Sequence, residues 1–212
     1  KKATEVAEAF AGIGSDFNAS VANDYTIFSA GSLSADSQRL VDEFADIIIQ
    51  PTMTDDEVTR VRQQLLAEIV ARRDQPEVIA DQSFMQLLYG RHPYSKSTIG
   101  QKSTIEAIKK KNIIQHYLKY FRPNNSYLAV VGKVDDALRA KIQARFSEWI
   151  RQDVTPVNVN QAVKNEGPKI RLITKADSQQ AQIRLGHLGI QRNHPEFVTL
   201  RVANTALGGA FN

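Results

Sequence analysis

Residues 54–74, TDDEVTRVRQQLLAEIVARRD, constrain the fold more than any other stretch of this chain. Thr54 and Glu57 make the S/T-x-x-E pattern of a capping box, in which each side chain serves a backbone N–H that a helix start leaves without a partner. Val58, Val61, Leu65, Leu66 and Ile69 recur at helical spacing and define one apolar face. Pro76 ends the run. At about 100° per residue, Glu68 falls close to the line of Val61 and Leu65, on the flank of that face. Arg72 stands four residues further on, completing an acid–base pair in the favourable order. From the residues alone, Glu68 reads as half of an ion pair on a helix surface.

The segments around this helix alternate between helical and strand patterns. Residues 1–12 carry Val6, Ala7, Phe10 and Ala11 on one face, and Gly12 and Gly14 stop that helix. Residues 16–21 alternate Phe17, Ala19 and Val21 against Asn18 and Ser20. With the turn Ala22-Asn23-Asp24 and residues 25–30 they predict a hairpin. Ser34 caps a helix running to Ile49, with Leu40, Val41, Phe44, Ile47 and Ile48 inward. Another helix spans 77–89 and closes at Gly90.

Ser103 and Glu106 repeat the capping-box pattern and open two further helices, which end at Phe121-Arg122-Pro123. SYLAVVG, residues 126–132, predicts a strand buried on both faces. Residues 135–150 predict a helix and residues 151–168 a linker without period. Residues 169–174 and 180–187 predict strands, and a last helix is capped by Asn193 with Pro195 in its first turn. The hairpin makes this an α+β pattern rather than a doubly wound parallel sheet.

Composition narrows the function classes. A net charge of +4 is mild, and its only dense run is Lys109–Lys111, with no aromatic residues interleaved, so no nucleic-acid partner is expected. Cysteine is absent, which removes disulfides and thiolate metal sites. No apolar run approaches the roughly 18 residues of a membrane-spanning helix. The chain begins and ends within helical patterns, which predicts a piece of something longer.

Motifs for chemistry are few. His92, His116, His187 and His194 have no second histidine three or four residues away, so neither H-E-x-x-H nor H-x-x-E-H occurs. Each reads as a structural or surface histidine. No glycine-rich phosphate loop and no G-x-S-x-G elbow is present. By residues alone, no complete active site lies within the chain, and no catalytic residue is assigned.

The order of segments is similar to that of a known family. ATEVAEAFAGIGSDFNASVANDYTIFSAGSL, LVDEFADIIIQPTMTDDEVTRVRQQLLAEIVARRDQPE, LLYGRHPYSKSTIG, YLKYFRPNNSYLAVVGKVD, RLGHLGIQRNHPEF and ALGG follow one another as in the pitrilysin/insulinase zinc metallopeptidases, which include the mitochondrial processing peptidases. The resemblance runs almost end to end. It implies an α+β fold of the pitrilysin/processing-peptidase type, an antiparallel or mixed sheet covered by helices. It also implies a first domain over residues 1–150 that lacks its opening strands and zinc helix, a linker over 151–168, and the start of a second similar domain over 169–212.

The resemblance further implies a zinc metalloendopeptidase that hydrolyses peptides or unfolded polypeptide in a clamshell chamber, the fragment itself being inactive. The family's H-x-x-E-H would lie upstream of Lys1, and an Arg and Tyr from the distal half beyond Asn212. Glu68, in LLAEI, matches the third zinc ligand. Many active members carry a supporting Glu seven residues before the ligand, where this chain has Val61. Asn18 and Ala19 match the positions of a peptide-binding edge strand, where an extended substrate would add by β-augmentation. Pattern alone fits an ordinary amphipathic strand as well as it fits a peptide-binding edge. The family also implies a dimer partner, a second copy or a related subunit. Resemblance to envelope-type bacterial members points to the periplasm or cell envelope. Two rivals stand beside the peptidase: a non-catalytic partner subunit that binds peptide without zinc, and a basic interaction module unrelated to peptides.

Overall fold

Phe17 is the hub on which the first part of the fold is assembled. In the computed structural model, which describes residues 2–163 and 166–209, its ring lies 5.4 Å from Phe10, 5.8 Å from Phe28 and 5.8 Å from Phe44. Phe10 comes from helix α1 (Ala3–Ala11), Phe17 from strand β1 (Phe17–Val21), Phe28 from strand β2 (Thr26–Ala30) and Phe44 from helix α2 (Ser37–Ile49). β1 and β2 pair antiparallel, with Phe17 opposite Ala30 and Ala19 opposite Phe28. Side chains alternate faces along a strand, so this register brings Phe17 and Phe28 diagonally together on one face. The predicted hairpin is present, and Gly14, at φ 60°, supplies the left-handed residue between α1 and β1.

The chain divides into two compact units, residues Lys1–Gln75 with Lys96–Asn160, and Pro76–Ser95 with Gln161–Asn212. In the first, α3 (Asp55–Arg72) starts where the capping pattern places it, with Thr54 Oγ1 accepting from Glu57 N at 3.3 Å. The reciprocal half of the box is not made, because the Glu57 carboxylate instead accepts from Arg60. Ile69 of α3 is buried, as are Phe10, Ile13, Ala45, Ile48, Ile105 and Leu138. Helices α5 (Lys102–Ala107) and α6 (Lys110–Tyr120) are separate, broken by extended backbone at Ile108. Arg62 of α3 donates to that residue's carbonyl at 2.7 Å.

Helix α7 (Asp136–Ser147) is capped by Asp135 and packs on α2 through charge. Arg145 meets Asp42 at 3.0 Å, Glu148 at 3.0 Å and Asp46 more closely, while Lys141 meets Asp42 at 2.7 Å. Burial works to lower the Arg145 pKa, but Glu148, Asp46 and Asp42 outweigh it and raise the value. Tyr117 of α6 shares its hydroxyl proton between the carbonyls of Ile48 and Ile49, 2.8 Å from each. Burial pushes its phenol pKa up, with Arg122 opposing.

The second unit contains α4 (Pro76–Tyr89) and α8 (Phe197–Asn204). Arg184 binds Asp81 of α4, and Tyr89 at the end of that helix packs with His92 and Tyr94 through tilted and edge-on ring contacts. Among the described residues no helix is long and apolar enough to cross a membrane.

Several expectations need correction. SYLAVVG is neither a strand nor buried, with Tyr127 and Val131 almost fully exposed. Residues 169–174 and 180–187 likewise form no strand. A strand needs neighbouring backbone, and among the described residues only β1 and β2 supply it to each other. The second capping box is made by Gln101 and Thr104 rather than Ser103 and Glu106, because the chain enters α5 directly from Gly100 at φ 85°. The last helix begins at Phe197, not after Asn193. Tight turns from Gln191 to His194 and from His194 to Phe197 occupy that stretch first. The architecture is α+β and helix-rich around a small antiparallel sheet.

Candidate functional site

α3 presents Glu68 on its exposed flank. Thr54 and the acidic first turn, Asp55, Asp56 and Glu57, stabilise the helix start, and Ile69 anchors its C-terminal part in the core. One residue before Ile69, Glu68 points out, its side chain 46% exposed. Arg72 donates to it from Nε at 2.9 Å and from Nη2 at 2.6 Å, and both bonds end on Oε1. Oε2 accepts no hydrogen bond from the described residues. A zinc ligand at this position is expected to turn from Arg72 towards a neighbouring zinc helix, and here the carboxylate instead stays on Arg72. Four residues apart on a helix, the two side chains meet without help from the rest of the fold. Val61, one heptad before Glu68, is 42% exposed on the same flank.

Asn18 and Ala19 lie in β1, opposite Ser29 and Phe28 of β2, and both are exposed. Among the described residues β1 has no strand on its other side. Its edge can accept main-chain hydrogen bonds from an extended segment. The four histidines are engaged locally. His92 Nδ1 accepts from Tyr94 N at 3.1 Å, and His194 Nδ1 accepts from Glu196 N at 3.2 Å. His116 packs 4.8 Å from Tyr120, and His187 Nδ1 lies 2.8 Å from Leu188 O. Among the described residues no three His, Cys, Asp or Glu side chains converge as a metal site.

Sequence reasoning missed the grip of Arg145 on three carboxylates and the burial of Arg122. Neither carries a motif. The only sequence signal for Arg122 is the proline after it, which forbids a simple helical continuation.

A family model described as "Insulinase (Peptidase family M16)" matches residues 1–102, and one described as "Peptidase M16 inactive domain" matches residues 107–212. An uncharacterised zinc protease of Mycobacterium leprae is 29% identical over 216 residues, covering 100% of this chain and 48% of that protein. A zinc protease of Bacillus subtilis is 25% identical and is covered to 51%. The chain thus spans about half the length of the curated relatives it matches. Among solved structures, a peptidase M16 inactive domain from Pseudomonas fluorescens superposes with a TM-score of 0.82 at 23% identity, over 100% of this chain and 51% of that one. Pitrilysin superposes with a TM-score of 0.58 at 21% identity, over 76% of this chain and 18% of that one.

Proposed function

The chain belongs to the insulinase family of peptidases, family M16, and from that premise we propose that it is part of a zinc metalloendopeptidase hydrolysing peptides or unfolded protein segments. The observation that carries this reading is Glu68, a half-exposed carboxylate about one turn from the C-terminal end of α3, with one oxygen tied and the other open. Carboxylate oxygens are ordinary zinc donors, so the residue fits the metal as one member of a ligand set. By the family resemblance the other members are the two histidines of an H-x-x-E-H outside this chain. Zinc held by that set would supply Lewis-acid polarisation of a peptide carbonyl and activation of water.

Glu68 itself transfers no proton. Its contribution is an anionic oxygen at a fixed place, and Arg72 restrains the carboxylate from the opposite oxygen. Asn18 and Ala19 would bind substrate through the β1 backbone, main-chain bonds supplying affinity and neighbouring pockets preference. In the same reading, residues 1–150 form most of a first peptidase-like domain, 151–168 a linker and 169–212 the start of a second. The parent pairs with a copy of itself or a related subunit and resides in the bacterial periplasm or cell envelope, which fractionation checks.

A second reading is a partner subunit that binds peptide without zinc. Val61, standing where many active relatives have a supporting Glu, leans that way. Metal analysis and cleavage of an unstructured peptide by the dialysed full-length protein separate the two. About one zinc per chain with turnover, both falling in Glu68→Gln, supports the peptidase. Peptide binding with neither zinc nor turnover supports the partner subunit. Wild-type zinc and turnover in Glu68→Gln would remove Glu68 from the site.

A further inference from the structure

Helix α6 ends in Phe121-Arg122-Pro123, and Pro123 drives the residue before it into extended backbone. Arg122 accordingly sits at φ −134°, ψ 147°. Its side chain folds back over the helix end, and Nε donates at 2.7 Å to Leu118 O, one of the carbonyls that a helix terminus leaves without a partner. Nη2 donates to Gln152 Oε1 at 2.6 Å, and Nη1 reaches Ile150 O at 3.4 Å. Beside it, Asn124 Nδ2 donates to Gln152 O at 3.0 Å.

Arg122 is only 8% exposed and has no carboxylate partner among the described residues. A buried guanidinium is costly unless its N–H groups are met, and here neutral oxygens from two separate segments meet them. The segment being held has no apolar reason to stay. Ile150 is 72% exposed, and Arg151 and Gln152 are exposed as well. From 153 to 163 no hydrogen bond to another described residue follows. The hold on 150–152 is therefore polar.

We propose that Arg122 is a positioning residue that clamps residues 150–152 to the end of α6 and so fixes the path the chain takes past that helix end. The geometry calls for arginine, whose planar fork addresses three acceptors at once, where lysine would offer one compact ammonium.

Trypsin reads this directly, because Arg151 lies inside the clamped segment and cleavage needs local opening. In native full-length protein, with each rate normalised to a matching synthetic peptide, the cut after Arg151 should be at least about tenfold faster in Arg122→Met and about threefold faster in Gln152→Ala. Cuts after Arg139 and Arg145, within α7, should keep their wild-type rates. Unchanged cleavage after Arg151 in both variants would overturn the proposal, as would equal acceleration at all three sites, which would make Arg122 a general stabiliser. Should Arg122→Met not fold, Gln152→Ala decides alone, since it removes only the far end of one bond.

Discussion

Arg72 places both Nε and Nη2 on a single oxygen of Glu68, at 2.9 and 2.6 Å, and leaves the other oxygen open. A carboxylate held this way is oriented without being saturated. One oxygen faces along the helix towards its partner, and the other is available to a ligand. The ion-pair reading and the metal-ligand reading of Glu68 are thus compatible in one geometry.

Glu68→Gln should cost at most about 0.5 kcal/mol of folding stability, the worth of an exposed i,i+4 pair. Urea unfolding in low and high salt checks this, and the small difference should vanish in high salt. In the full-length protein the same change should lower zinc affinity at least about 10- to 100-fold, the range known for losing even a group that only supports a ligand.

A polypeptide of residues 1–212 alone should retain no stoichiometric zinc after dialysis, because Glu68 is one donor where a catalytic site uses three from protein. Metal analysis decides. One tightly held zinc per chain, lost in Glu68→Ala, would show that a ligand set within these residues has been overlooked.

Binding of an extended peptide by the full-length protein should slow amide exchange in residues 17–21. That is the signature of main-chain pairing along β1. Protection elsewhere with none in β1 would move the peptide site away from Asn18 and Ala19.

Tyr117→Phe should destabilise the first unit by about 1 kcal/mol, through loss of the hydroxyl shared by the Ile48 and Ile49 carbonyls. Burial raises the phenol pKa in the folded state, so the folded form holds the proton more tightly. The contribution is full below the unfolded value near 10 and is lost as pH rises through the higher folded value. Wild type should therefore lose stability above about pH 10 and the variant less so, measured by thermal melts across that range.

Arg145→Met should cost about 1–3 kcal/mol, since Asp42, Asp46 and Glu148 lose a charge-assisted partner together. Adding Asp46→Asn should recover part of the loss. A double variant no better than the sum of the single changes would mean that the three carboxylates do not repel one another.

The sequence by itself determined α3, the β1–β2 hairpin, the break between α5 and α6 and the meeting of Glu68 with Arg72. These rest on interactions spanning a few residues: a threonine cap, an apolar period, a turn, an i,i+4 pair. The order of segments also carried the family, because order is written in the sequence itself. Tertiary structure decided the rest. Whether SYLAVVG or residues 169–174 and 180–187 become strands depends on backbone arriving beside them, which alternation of side chains cannot supply. Arg122 finds its acceptors 28 and 30 residues away, and Arg145 finds Asp46 at a separation of 99. Local hydrogen bonds and periodicity are legible one residue at a time, whereas these partners exist only once the chain has brought distant helix ends together.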